Sequence, residues 1–148
     1  MADAFVDTSF VVALINKGDE HHLRALDLAS EFERPPLITT DAVLLEIGNA
    51  LAKSFRAASI QVIDDFLTSS EVQIVHLYPD LFQRAFSLYR SRLDKTWGLV
   101  DCVSFVVMHD AGNLRFVDNR QTLRAGRFPG IVADVKPCLT GPGALRRR

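Results

Sequence analysis

The chain reads as a three-layer α/β domain on a mainly parallel sheet. Two observations predict it: short apolar runs alternate with helix-patterned segments throughout, and no repeat or internal linker interrupts that alternation. At 148 residues, 48% hydrophobic and 24% charged, the sequence has the makings of one globular domain with a substantial core. The domain is expected over residues 1–139, with residues 140–148 as a disordered basic tail ending in Arg146-Arg147-Arg148.

Ala4-Phe5-Val6 is a buried-strand candidate, and Asp7-Thr8-Ser9 then offers a polar cap to a short helix reaching Asn16. Lys17-Gly18-Asp19 stops that helix. From His21 to about Glu33, Leu23, Leu26, Leu28, Ala29 and Phe32 fit a helical stripe that Pro35-Pro36 ends. Leu37-Ile38-Thr39 is the second strand candidate. Thr40 or Asp41 can cap a helix to about Ser54, with Val43, Leu44, Ile47 and Leu51 on its buried side. A helix over about Ser59–Thr68 leads to a strand within Val72–Leu77, and Pro79 suits the first turn of a helix reaching about Leu93. Leu99–His109 is helical by length and pattern, and Gly112 is its stop. Leu114–Val117 and Ile131–Val135 are the last strand candidates.

Neither apolar run, Phe10–Ile15 or Val103–Met108, is near the roughly 20 residues a bilayer crossing needs, and no basic leader opens the chain. A cytoplasmic protein without a membrane partner is the expectation. Cys102 and Cys138 stand in no C-x-x-C pattern and read as reduced core residues. The net charge of −1 gives no global pull on nucleic acid, so phosphate contacts need local basic clusters or a metal ion.

Four acids carry the chemical argument. Asp7 and Asp118 end strands, which in open α/β sheets is the edge where ligands bind, and they converge if those strands are neighbours. Glu46 lies on the third helix with Asn49 and Lys53 along one polar line. Asp101 opens an otherwise apolar helix of Val100, Val103, Phe105, Val106 and Val107. Each has a bland reading: Asp7 as a cap, Glu46 as a solvated residue, Asp101 as a charge favoured at a helix N-terminus, Asp118 as a turn starter. Gathered together, carboxylates repel one another and take up protons unless a cation is present, and oxygen donors of this kind suit Mg²⁺ or Mn²⁺.

Phe5-Val6-Asp7-Thr8-Ser9, the block from Thr40 to Leu51 around Glu46, and the block from Asp94 to Phe105 around Asp101 resemble, in order and spacing, the blocks of the PIN-domain family, which includes the VapC-type toxins of bacterial toxin–antitoxin pairs. The likeness runs from Phe5 to about Val135. It implies a five-stranded parallel sheet and an Mg²⁺- or Mn²⁺-dependent endoribonuclease whose metal site is Asp7, Glu46, Asp101 and Asp118. It further implies Thr8, Ser9 and Asn49 as groups that orient the carboxylates, products with 5′-phosphate and 3′-hydroxyl ends, a VapB-type antitoxin partner and a homodimer, for which the helices between Ser59 and Leu93 offer surface. The fourth block departs from the family pattern, because Phe116 stands where a Thr is usual and Asn119-Arg120-Gln121-Thr122-Leu123 follows Asp118.

RNA grip is expected from Arg92 and Lys95 on one side and Arg120 and Arg124 on the other, with Arg84, Arg90, Arg115 and Arg127 as further candidates. Trp97 fits an apolar anchor beneath the Asp101 helix better than a base-stacking residue, and His21, His22 and His109 carry no assigned chemistry. Other classes fit less well. No Gly-rich phosphate loop follows the first strand, Val75-His76-Leu77-Tyr78 lacks the phosphoacceptor of a receiver domain, and a dehalogenase-like phosphatase needs an Asp at position 9, where Ser stands. The rivals that remain are a non-catalytic PIN-like module binding RNA or protein, and a housekeeping RNA-processing nuclease.

Overall fold

The computed structural model describes residues 4–31, 36–112 and 115–117. Strand β1 (Ala4–Val6) is only three residues long, yet each is fully enclosed, which a central strand covered on both faces requires. Helix α1 (Thr8–Ile15) starts directly from it and buries Phe10, Val11 and Ala13.

Helix α2 (His22–Glu31) keeps Ala29 of the expected stripe inside and corrects its two leading leucines. Leu23 and Leu26 are 74% and 45% exposed, while Ala25 and Ala29 are buried. The small alanines let α2 sit close against its neighbour α1, and the His22 imidazole, 2.7 Å from the Ala13 carbonyl of α1, fixes the helix's rotation.

Strand β2 (Leu37–Thr40) is buried throughout and feeds α3 (Asp41–Ala50), whose Val43 amide is capped by the Thr40 hydroxyl at 3.1 Å. Val43, Leu44, Ile47 and Leu51 are buried, on the side the sequence assigns to the core. The helix stops at Ala50, short of Ser54, because turns occupy 51–54 before α4 (Arg56–Thr68) begins. Then follow β3 (Val72–Val75), α5 (Pro79–Ser91) with proline in its first turn, α6 (Leu99–Ala111) and β4 (Arg115–Val117). Gly112 ends α6 at φ +83°, a conformation that only glycine adopts without strain.

Among the described residues the sheet has four strands in the order β3-β2-β1-β4, all parallel, rather than five. The fifth candidate, Ile131–Val135, and the tail 140–148 lie outside the described residues. Register sets Val6 opposite Val117, so β1 and β4 leave the sheet side by side. From β1 the chain steps through β2 to β3 on one side, and β4 then returns to the other. That reversal puts the switch point between β1 and β4, where α/β sheets open a crevice at their carboxyl ends. α5 packs along α6, where Arg84 makes two bonds of 2.7 and 2.6 Å to Asp110. Among the described residues no helix is long and apolar enough to cross a membrane.

Candidate active site

Every strand of a parallel sheet ends on the same edge, and a helix that follows a strand starts there. Asp7 directly follows β1 and caps α1: its Oδ2 accepts from the Ser9 amide at 3.4 Å and from the Ser9 hydroxyl at 3.0 Å. The side chain is 2% exposed, so a carboxylate is held almost out of solvent at the crevice floor. The neighbouring hydroxyl takes a different partner. Thr8 Oγ1 donates to Glu46 Oε2 at 2.7 Å, the short distance typical of a charge-assisted bond, and so ties α1 to α3. Consecutive residues at one helix start thus orient two acids that stand far apart in sequence. Thr39 closes the floor by donating to the Val6 carbonyl at 3.0 Å.

Asp101 lies in the first turn of α6, and its Oδ2 accepts from the Gly98 amide at 2.8 Å. The capping roles that the sequence allows Asp7 and Asp101 are therefore both occupied, each through one carboxylate oxygen. Among the described residues neither Glu46 nor Asp101 has a cationic partner. Helices α1 and α6 bring N-terminal turns to Asp7 and Asp101, and the positive end of a helix favours negative charge there.

Three of the four acids expected from the sequence, Asp7, Glu46 and Asp101, lie among the described residues. Among the described residues no three of Asp, Glu, His and Cys gather into a set that could hold a metal ion. Asp118, the fourth acid, lies outside the described residues. The donors nevertheless fit a hard cation chemically. Mg²⁺ keeps several waters and takes one or two carboxylates together with substrate phosphate oxygens, so a closed protein cage is not required. Asn49 is exposed, and among the described residues its side chain makes no hydrogen bond to Asp7, Glu46 or Asp101.

The basic candidates separate. Arg84 makes an exposed bidentate pair with Asp110, at 2.7 and 2.6 Å. Arg92 and Lys95 share Asp94 at 3.1 and 3.5 Å, and the Arg92 hydrogen bond holds the Asp94 carboxyl below the usual range. Arg120, Arg124 and Arg127 lie outside the described residues. Trp97 is the anchor expected of it, meeting the Phe105 ring edge-on at 4.8 Å. Cys102 is fully enclosed, and burial, then the charge of Asp101, push its thiol pKa up, which leaves it unreactive.

The sequence reading missed what Asp41 does. Both of its carboxylate oxygens accept from the Leu77 amide, at 3.0 and 3.1 Å, tying the stretch before α5 to the start of α3. Only the placement of a second acid beside a helix start hints at this.

Comparison with known proteins gives consistent matches. A model of the PIN domain covers residues 4–116. The 23S rRNA-specific endonuclease VapC20 of two Mycobacterium tuberculosis strains is 31% identical over 109 residues, 73% of this chain and 82% of that protein. The crystal structure of M. tuberculosis VapC20, a sarcin-ricin loop cleaving toxin, superposes with a TM-score of 0.69 at 30% identity, covering 79% of this chain and 91% of that one. A toxin–antitoxin complex from Klebsiella pneumoniae shares the fold, with a TM-score of 0.55 at 18% identity over 88% of this chain and 97% of that one.

Proposed function

Because the chain belongs to the PIN-domain family, we propose that it is a VapC-type ribonuclease toxin, an endonuclease that hydrolyses RNA phosphodiester bonds. The observation that carries the reading is the pair of consecutive hydroxyls at the start of α1, Thr8 on Glu46 and Ser9 on Asp7, at the sheet's switch point. Residues that merely solvated a surface would not need such orientation.

In this reading Asp7, Glu46, Asp101 and Asp118 hold Mg²⁺ or Mn²⁺. The ion supplies charge neutralisation at the phosphate and an acidified water at neutral pH. Asp7, nearly enclosed, presents a fixed carboxylate at the crevice floor. Glu46 is steadied by Thr8, and Asp101, held in the first turn of α6 by the Gly98 amide, would offer a further carboxylate to the ion. The N-terminal turns of α1 and α6 favour the anionic scissile phosphate. Products carry 5′-phosphate and 3′-hydroxyl ends. The catalytic domain is residues 1–139, completed by Ile131–Val135 as a fifth strand in a three-layer arrangement. A VapB-type antitoxin restrains the enzyme, and two copies pair through exposed apolar residues of α4 and α5 such as Ile60, Leu67 and Phe82. Since VapC20 is specific for 23S rRNA, that RNA is the first substrate to test.

The test is cleavage of RNA with Mn²⁺ by the parent, Asp7→Asn and Asp101→Asn proteins. Both variants should lose at least about 100-fold in rate, more than the 10–100-fold typical of residues that only orient ligands, and EDTA should abolish cleavage. Parent-like cleavage by either variant, or cleavage that survives EDTA, sinks the proposal.

A further inference from the structure

We propose that the cleft between the end of α5 and the loop entering α6 is a stacking subsite for an unpaired nucleotide of RNA; the inference rests on the ribonuclease reading and names the form of RNA gripped beside the acids. The cleft measures about 480 Å³, within the range of small-ligand sites, and Phe86, Tyr89, Arg90, Arg92, Lys95 and Trp97 line it. Rings and cations alternate around it. Arg90 lies 4.7 Å from the centre of the Phe86 ring, and Arg92 and Lys95 lie 5.4 and 5.9 Å from that of Trp97. These cations lie over the Phe86 and Trp97 rings, so the Tyr89 ring is the plane that takes a base through its π-face, while the cations take its phosphate.

Charge complementarity selects the occupant. Among the described residues the lining holds three cations and no acid, and the adjacent Asp94 engages two of them through exposed contacts, at 3.1 and 3.5 Å, of the kind a phosphate displaces at little cost. Arg90 has no carboxylate partner among the described residues. Tyr89 is 45% exposed, an aromatic face left for a stacked base to cover. A duplex keeps its bases stacked on one another and offers no such face, whereas loops and single strands do.

The cleft is also coupled to the acids. Trp97, pinned by Phe105, is followed by Gly98, whose amide holds the Asp101 carboxylate at 2.8 Å. From Trp97 to Asp101 the chain spans at most about 14 Å, so one short RNA segment can reach both.

Trp97 is the chain's single tryptophan, so its fluorescence reports this cleft alone. The experiment titrates the full-length protein, in EDTA to prevent cleavage, with an unpaired oligouridylate of about eight nucleotides and with an RNA duplex of equal length. Saturable quenching by the single strand, at least about fivefold tighter than by the duplex, is expected. Tyr89→Ala should weaken it about 5- to 150-fold while Tyr89→Phe restores it. Arg90→Ala with Arg92→Ala should lower the salt slope by about 1.4. No quenching, equal response to duplex, or quenching by an acidic peptide but not by RNA overturns the subsite. Parallel cleavage assays separate the two readings. Asp7-dependent cleavage without quenching removes the subsite and leaves the nuclease, whereas quenching without any metal-dependent cleavage keeps the subsite and removes the nuclease.

Discussion

Replacing Thr8 by Val keeps shape and β-branching but deletes the donor that holds Glu46. The lost bond is 2.7 Å long, and Thr8 is only 8% exposed, while Glu46 lies at intermediate exposure where water can partly substitute. Hydrogen bonds to charged groups contribute about 1.5–3 kcal/mol, and partial access of water selects the lower end, about 1.5 kcal/mol. If that energy orients Glu46 toward the metal, the half-saturating Mn²⁺ concentration for RNA cleavage rises about tenfold. Thermal unfolding should fall by about 3–6 °C in the same variant, and Thr8→Ser, which keeps the hydroxyl, should restore metal dependence to within about threefold. Metal titration of initial cleavage rates reads the first effect, and calorimetry the second. A Thr8→Val protein with parent-like Mn²⁺ dependence, whatever its melting temperature, would refute the reasoning. So would a Thr8→Ser protein as impaired as Thr8→Val.

Other consequences follow from the packing and the α5–α6 pair. Arg84 holds the Asp110 carboxyl down to about 2, so the pair's stabilisation is present above the ordinary carboxylate range and fades as pH falls from there toward 2. With the side chains 41% and 42% exposed, solvent screening limits the effect: Asp110→Asn should lower the melting temperature by no more than about 4 °C at pH 7, and the difference should shrink steadily as pH falls through the Asp110 pKa, in a pH series of calorimetric scans. A difference that grows on acidification would reverse the assignment. Phe10 is fully enclosed, so Phe10→Ala should cost about 3–5 kcal/mol in urea unfolding with an unchanged slope, and a loss under about 1 kcal/mol would contradict its place in the core.

Much of this was legible in the chain because period and punctuation agreed. Pro79, Gly112, Thr40 and the β-branched runs each mark an element end by a local rule, and the structure puts ends within a few residues of them. The α2 stripe held at Ala29 and failed at Leu23 and Leu26, for a nonlocal reason. Leucines and alanines are interleaved there, so hydrophobicity allowed more than one buried face, and close approach to α1 selected Ala25 and Ala29 over the larger Leu23 and Leu26. For the site, strand-end placement made Asp7 readable, and the pairing of β1 with β4 bears out the adjacency on which the argument for Asp118 depended. What the sequence could not reveal was how each carboxylate is spent. Capping Gly98 or accepting from Ser9 requires only a helix start, and a helix start calls for an acid whether or not a metal sits nearby.

The account stands on Asp7, Glu46 and Asp101 sharing one cation at the carboxyl edge of β1. Anomalous diffraction from crystals of the full chain soaked in Mn²⁺ tests that without reference to any substrate. A single strong peak flanked by Asp7 and Asp101 oxygens at about 2.0–2.2 Å is the expected result. Peaks confined to surface acids such as Asp64 or Glu71, with none beside Asp7, would contradict it.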